Sequence, residues 1–217
     1  MAEREIHDHW FKEAKRKGYR SRAAFKLMQI DDRRGVLSKG DQVLDLGCAP
    51  GSWLQVIAER VGPKGCAWGI DLKEVDAGLP DNVTALLGNA EDPKGAGVPT
   101  DFLFDSILSD MMPSTTGSRD TDHFRSVNVC ELAVDLCPHW LKPGGTLVMK
   151  VLEGSAMPQL LADTKKLFGR VKPFKPEASR KESTEIFVIA HDYKGPPEGG
   201  ITESAASAGP PPVPEGW

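Results

Sequence analysis

Residues 42–53 read Gln-Val-Leu-Asp-Leu-Gly-Cys-Ala-Pro-Gly-Ser-Trp, and the chain continues from Trp53 as Leu-Gln-Val-Ile-Ala-Glu-Arg-Val before a glycine at 62. The run 42–46 has the near-continuous apolar character of a strand buried on both faces. Glycines at 47 and 51 allow a tight turn and a close approach of backbone to ligand, and the segment from Trp53 has the period of a helix. Strand, glycine turn and helix in that order open a doubly wound sheet. The same alternation runs downstream: CAWGID (66–71) and VTALLG (83–88) as strands, 89–104 as a loop or short irregular helix, then SILSD (106–110) as a fourth strand. A polar loop through Thr121 precedes a long helix to about Leu141, closed by Lys-Pro-Gly-Gly, and TLVMKVL (146–152) makes a fifth strand. Residues 156–168 read as a helix, with two last strands near 170–174 and 184–190. The pattern predicts an α/β protein, a parallel sheet with helices on both faces.

Upstream, 8–17 and 21–34 read as helices, with Asp8 as an N-cap and Gly18 and Gly35 as stops. Lys12, Lys15, Arg16, Lys17, Arg20, Arg22 and Lys26 face only one acid, Glu13, in this region, although the whole chain is acidic at net charge -4. Lys165, Lys166, Arg170, Lys172, Lys175, Arg180 and Lys181 form a looser second basic stretch. Local basic stretches on an acidic protein point to a surface for an anionic partner, with Lys15, Arg16, Lys17, Arg20 and Arg22 as its candidate contacts. With 217 residues the chain suits one catalytic domain over 36–194, a basic helical extension over 1–35 packed on it, and a Pro/Gly/Ser-rich disordered tail over 195–217. No apolar run suits a membrane span and the N-terminus has no signal-like apolar region, so a soluble, cytoplasmic monomer is expected. Cys48, Cys66, Cys130 and Cys137 lack metal-site spacing and read as packed thiols; no metal is expected.

A dinucleotide fold would carry GxGxxG facing a pyrophosphate, whereas here the glycines are spaced GxxxG and Asp45 precedes them. An acid there suits a cofactor with a cationic amino-acid end and no phosphates, which describes S-adenosyl-L-methionine, and argues against a nicotinamide dehydrogenase. Asp71 closes the second strand, where a carboxylate can accept from both ribose hydroxyls. Asn89 fits two roles, an acceptor for an adenine amine or a turn residue in GNAED. Asp110 ends the fourth strand, Lys150 ends the fifth, and Glu185 opens the last; an antiparallel last strand would bring all three to one sheet edge, and Lys26 could fold over them. A neutral amine takes a proton from a poor nucleophile such as a ribose hydroxyl, so Lys150 is the candidate general base, oriented by Asp110, with Lys26 and Glu185 tuning charge and holding the ribose.

The pieces KRKGYRSRAAFKL, VLDLGCAPGSW, GIDL, LSDMMP, the Lys-Pro-Gly-Gly turn before VMKVLEG, and STEIFVIA occur in this order over about residues 10–190. This ordered set resembles the RrmJ/FtsJ family of RNA ribose 2'-O-methyltransferases. The resemblance implies a Rossmann-like class I S-adenosylmethionine methyltransferase fold, a mostly parallel seven-stranded sheet with the last strand antiparallel. It also implies a Lys-Asp-Lys-Glu tetrad on Lys26, Asp110, Lys150 and Glu185, with Lys150 as proton acceptor. It places cofactor contacts on Gly51, Trp53, Asp71, Asp110 and the residue after Gly88, here Asn89 where the family commonly has Asp, beside Asp45 and Gly47 from the reading of the loop. The compact bacterial members act on a uridine of the A-loop of 23S rRNA, so rRNA and the 50S subunit are the expected partners. A tRNA substrate, or a non-catalytic RNA-binding role in ribosome assembly, are the competing readings.

Overall fold

The computed structural model describes residues 2–180 and 182–196. Lys181 of the second basic stretch and 197–217 of the expected tail lie outside the described residues. Strands β1 (Gln42–Leu46), β2 (Cys66–Asp71), β3 (Val83–Leu87), β4 (Phe104–Ser109), β5 (Leu141–Leu152), β6 (Phe168–Phe174) and β7 (Glu185–Tyr193) form one sheet in the order β3-β2-β1-β4-β5-β7-β6. Strands β1 to β5 pair in parallel, and β7 runs antiparallel to both β5 and β6. The order reverses between β1 and β4, which opens a crevice at their carboxyl ends, where doubly wound sheets bind ligands.

The helices are α1 (Ala2–Lys17), α2 (Ala23–Arg34), α3 (Ser52–Val61), the short α4 (Pro93–Ala96), α5 (Arg119–Trp140) and α6 (Met157–Leu167). Side-chain alternation sorts the core into two layers. Leu44, Leu46, Ile107, Leu147, Met149 and Val151 meet Val127, Cys130 and Ala133 of α5. Val43, Leu108, Val148, Phe187 and Ile189 instead meet Leu27 and Ile30 of α2 and Leu54 and Ile57 of α3. Because strand residues alternate faces with period two, Asp45 follows Val43, Lys150 follows Val148 and Glu185 precedes Phe187 onto the α2/α3 face. The polar groups at the strand ends therefore gather on the side that α2 covers.

Two elements depart from the sequence reading. Helix α1 starts at Ala2 and carries Asp8 within it instead of as a cap; Ala2, Glu3, Arg4 and Glu5 are strong helix formers that extend the helix backwards. The Lys-Pro-Gly-Gly segment does not separate α5 from β5: Leu141 already pairs with Phe104, and the ladder resumes only where Thr146 pairs with Ser106. Residues 142–145 thus bulge out opposite Asp105, helped by Gly144 at φ +83°. The segment after β3, expected as a loop or short irregular helix, contains the short α4, whose N-cap Asp92 accepts from the Gly95 N–H at 2.8 Å. On the edge strand β6, Arg170 and Lys172 are exposed, as charges that blunt an unpaired edge commonly are. Among the described residues no helix is long and apolar enough to cross a membrane.

Helix α2 is fastened to α3 by Trp53, whose Nε1–H donates to the Ala23 carbonyl at 2.9 Å and whose ring lies 5.8 Å from that of Phe187. Trp53→Phe removes the donor, leaves a carbonyl short of a partner and opens space in the core. A loss of about 1–3 kcal/mol is expected, read as a lower urea midpoint at unchanged slope.

Candidate active site

The β1–α3 loop begins where Gly47 and Cys48 both donate to the Ile70 carbonyl, and Asp71 at the end of β2 accepts from the Ala49 N–H at 2.9 Å and the Lys73 N–H at 2.8 Å. Asp71 therefore holds the glycine loop to the second strand and keeps lone pairs for further donors. Gly47 sits at φ +76°, and a Cβ there would come within 2.6 Å of the Met111 side chain. Gly51, at φ +98°, is hemmed by Val75, Leu79 and the stem of Arg20. Side chains at either position would fill the crevice and strain the backbone.

Asp45 lies under this loop with no solvent exposure, and neither carboxylate oxygen has a hydrogen-bond partner among the described residues. Burial, together with the charges of Asp110 and Asp71, pushes its carboxyl well above the usual range. A buried orphaned acid at the floor of a ligand crevice is costly unless a cation completes it. The residues fit a donor with an ammonium-bearing amino-acid end, Asp45 facing the charge and Asp71 the ribose side, with no concentration of cations for a pyrophosphate.

The four candidate catalytic residues converge as two ion pairs. Lys150 Nζ donates to the Asp110 main-chain carbonyl at 2.6 Å and lies 2.8 Å from Asp110 Oδ1. The second contact is close but not aligned as a hydrogen bond, since Oδ1 has no hydrogen-bond partner, so it counts as electrostatic contact only. Lys26 Nζ lies 2.5 Å from Glu185 Oε1, which also accepts from the Ser179 hydroxyl at 2.7 Å. Both lysines are largely buried, at 7% and 8% exposure for Lys26 and Lys150. Burial raises the Glu185 carboxyl, but the Lys26 ammonium, the Ser179 hydroxyl and the Lys150 charge outweigh it and hold the group below its ordinary value. A group depressed in this way adds stability above its unfolded value, and that stability is lost as pH falls through the folded value. The register explains the meeting: Glu185 stands opposite Leu152 and Phe187 opposite Lys150, so antiparallel β7 returns its first residue to the end of β5.

Beside the Lys26–Glu185 pair an open groove of about 380 Å³ is lined by Arg22, Arg180, Glu182, Ser183 and Glu185. Burial and the neighbouring Arg180 push the Arg22 guanidinium down, with Glu185 opposing. Lys15, Arg16 and Lys17 are exposed on the last turn of α1; Arg16 is paired bidentately with Glu13, and Lys17 lies 3.4 Å from the same carboxylate. These contacts hold the Glu13 carboxyl down at about 2, the Arg16 hydrogen bond being the largest cause.

Two expected site residues are spent differently, and Asn89 takes one of its two expected roles. Arg20 was expected to contact RNA, but its guanidinium donates to the carbonyls of Pro50, Asp76 and Ala77, so its fork faces protein backbone. The Trp53 side chain is in the core, which leaves only its backbone N–H, in the first turn of α3, to meet a ligand. Asn89 is exposed and forms the turn, its Oδ1 accepting from the Glu91 N–H and its Nδ2 reaching Glu91 Oε2. The sequence reading missed Ser179 on Glu185, Met111 against Gly47, and His123, whose ring bridges the Leu152 carbonyl and the Ala156 N–H behind the end of β5. These are contacts between segments 6 to 64 residues apart, with no local spacing to betray them.

A mostly parallel seven-stranded sheet with an antiparallel β7 between β5 and β6, and an acid-glycine loop at its switch point, is the Rossmann-like methyltransferase fold. The chain belongs to the FtsJ-like methyltransferase family, which matches residues 19–193. It is 45% identical over 186 residues to a ribosomal RNA large subunit methyltransferase E of Syntrophobacter fumaroxidans, covering 85% of this chain and 94% of that protein. A protein of the same name from Methanothermobacter thermautotrophicus is 36% identical over 191 residues, covering 87% and 90%. Among solved structures, a ribosomal RNA methyltransferase from Plasmodium falciparum superposes with a TM-score of 0.73 at 32% identity, over 82% of this chain and all of that one. Aeropyrum pernix fibrillarin with bound S-adenosyl-L-methionine shares the fold, with a TM-score of 0.52 at 16% identity over 77% of this chain and 73% of that one.

Proposed function

We propose that this protein transfers the methyl group of S-adenosylmethionine to a ribose 2'-hydroxyl of large-subunit ribosomal RNA, at a uridine of the A-loop of 23S rRNA. The observation that carries the reading is the pairing of Lys150 with Asp110 beside Lys26 with Glu185, at the edge of the crevice floored by Asp45. The donor, when bound, supplies an electrophilic methyl carbon on a sulfonium. Asp45 would hold its ammonium, Asp71 its ribose hydroxyls and the Trp53 backbone N–H its carboxylate, with Asn89 the residue toward its base.

Lys150 accepts the 2'-hydroxyl proton at Nζ as the new O–C bond forms and the C–S electron pair returns to sulfur. Asp110 holds that amine through its carbonyl and carboxylate, so the lone pair is aimed and not wandering. Lys26 and Glu185 form the opposite wall, their charges mutually cancelled, where they donate to and accept from the target ribose. Arg22 lines the adjoining groove and Lys15, Arg16 and Lys17 the approach, where they meet phosphates. The names of the relatives support the ribosomal substrate, and the protein acts as a cytoplasmic monomer on 50S particles. The three-part organisation, extension over 1–35, catalytic domain over 36–194 and tail over 195–217, belongs to this proposal.

The test incubates the protein with radiolabelled S-adenosylmethionine and either 50S particles or bulk tRNA from cells lacking the enzyme, and maps the labelled ribose. Label in one A-loop uridine is the expected result. Label in tRNA keeps the chemistry and replaces the substrate, and no label on either favours a non-catalytic assembly role.

A further inference from the structure

We infer that Arg20 is a positioning residue for the methyl-donor pocket, holding its two walls together from the N-terminal extension, and not part of the RNA surface. The inference rests on the donor reading above. Arg20 lies in the turn between α1 and α2, and its main-chain N–H is held by Gln55 Oε1 at 2.9 Å while Gln55 Nε2 returns to the Gly18 carbonyl at 3.0 Å. Its guanidinium then spans the crevice rim. Nη1 donates to Pro50 of the glycine loop at 3.0 Å, and Nη2 donates to Asp76 at 2.8 Å and Ala77 at 2.7 Å.

The two loops so joined are the walls that flank Gly51 and Asp71. One runs from β1 into α3; the other follows Asp71 and carries Val75 and Leu79, whose side chains would lie 2.9 and 3.3 Å from a Cβ on Gly51. Apart from this fork, the Lys73 N–H on Asp71 and the apolar contact of Val75 and Leu79, the loop over 72–80 has little regular structure to fix it. A planar guanidinium can reach three carbonyls in two segments at once, which a lysine ammonium at the end of a flexible stem does not reproduce. Ser21, which shares a hydrogen bond with Ser52 at 2.8 Å, and Tyr19, which donates to Glu59, seat the same turn on α3. The basic extension is thereby mechanically continuous with the donor pocket.

The experiment titrates S-adenosylhomocysteine into wild-type, Arg20→Ala, Arg20→Lys and Leu79→Ala proteins by calorimetry. In parallel it measures affinity for 23S rRNA fragments against salt, and the melting temperature. Both Arg20 variants should weaken nucleoside binding about tenfold, with the KM for the donor raised to match and kcat little changed. Leu79→Ala, which loosens the same wall without touching the fork, should weaken it in the same direction and stands in if Arg20→Ala does not fold. RNA affinity and its salt slope should stay at wild-type values. Unchanged nucleoside affinity in folded Arg20 variants overturns the inference, and a shallower salt slope with it returns Arg20 to the RNA surface. Wild-type protein that binds no S-adenosylhomocysteine would instead overturn the donor reading itself.

Discussion

Replacing Lys150 by alanine should lower the single-turnover rate of methyl transfer about 10²- to 10⁴-fold, the range for loss of a general base. S-adenosylhomocysteine affinity should remain close to that of the wild type, because Lys150 lies beside the donor crevice at the acceptor side and Asp45 and Asp71 are untouched. Truncation also leaves Asp110 without its cation. Removing one partner of a buried pair costs about 3–5 kcal/mol, but the Asp110 side chain is 20% exposed, so the cost should be smaller here. Lys150→Met, which keeps the stem packed, separates chemistry from folding: it should melt nearer the wild type and be as slow as the alanine variant. Full activity in either variant would remove Lys150 from the mechanism and leave the Lys26–Glu185 pair as the remaining titratable candidates.

Asp45→Asn should weaken donor binding about 100-fold and at the same time make the unliganded protein more stable. The two effects have one cause. In the free protein the carboxylate is buried with both oxygens unpartnered and its pKa is raised by burial and by Asp110 and Asp71. A raised acid binds more protons folded than unfolded, so its contribution to stability falls as pH climbs from the unfolded value towards the folded one. The amide carries no such penalty, whereas a cationic ligand end needs the charge. The donor should accordingly bind more tightly as pH rises through the Asp45 titration, with protons released on binding. Calorimetry in two buffers of different ionisation enthalpy measures that release, and Asp45→Asn should abolish it. Equal donor affinity in the variant would show that the ammonium is held elsewhere.

Strands β1, β4, β7 and the 146–152 part of β5 were readable because each is an apolar run whose burial writes itself into local composition, whereas β6, with Arg170 and Lys172 exposed, is not of that kind. The acid-glycine loop was readable for a similar reason: Gly47 and Gly51 occupy positive-φ positions with neighbours within 3 Å of a hypothetical Cβ, so few sequences satisfy that geometry. Lys26, Asp110, Lys150 and Glu185 could be nominated from strand ends and from the family likeness. The partnership of Lys150 with Asp110 could be nominated too, but the ion pair of Lys26 with Glu185 could not, because it depends on the β5–β7 register and on how α2 lies over the sheet.

Arg20 and Trp53 mark the same boundary from the other side. Basic composition made Arg20 look like an RNA contact, and the family likeness put Trp53 among the ligand residues without separating its side chain from its backbone. Composition and spacing report the backbone conformation and the burial a residue favours, which is why the sheet, the helices and the glycine loop follow from the chain alone. A side chain's partner depends on groups brought near it by packing; three carbonyls lay within reach of Arg20 and one carbonyl and a ring within reach of Trp53. Only the assembled fold sets those distances, and a hydrogen bond or ion pair is decided by tenths of an ångström that no local pattern encodes.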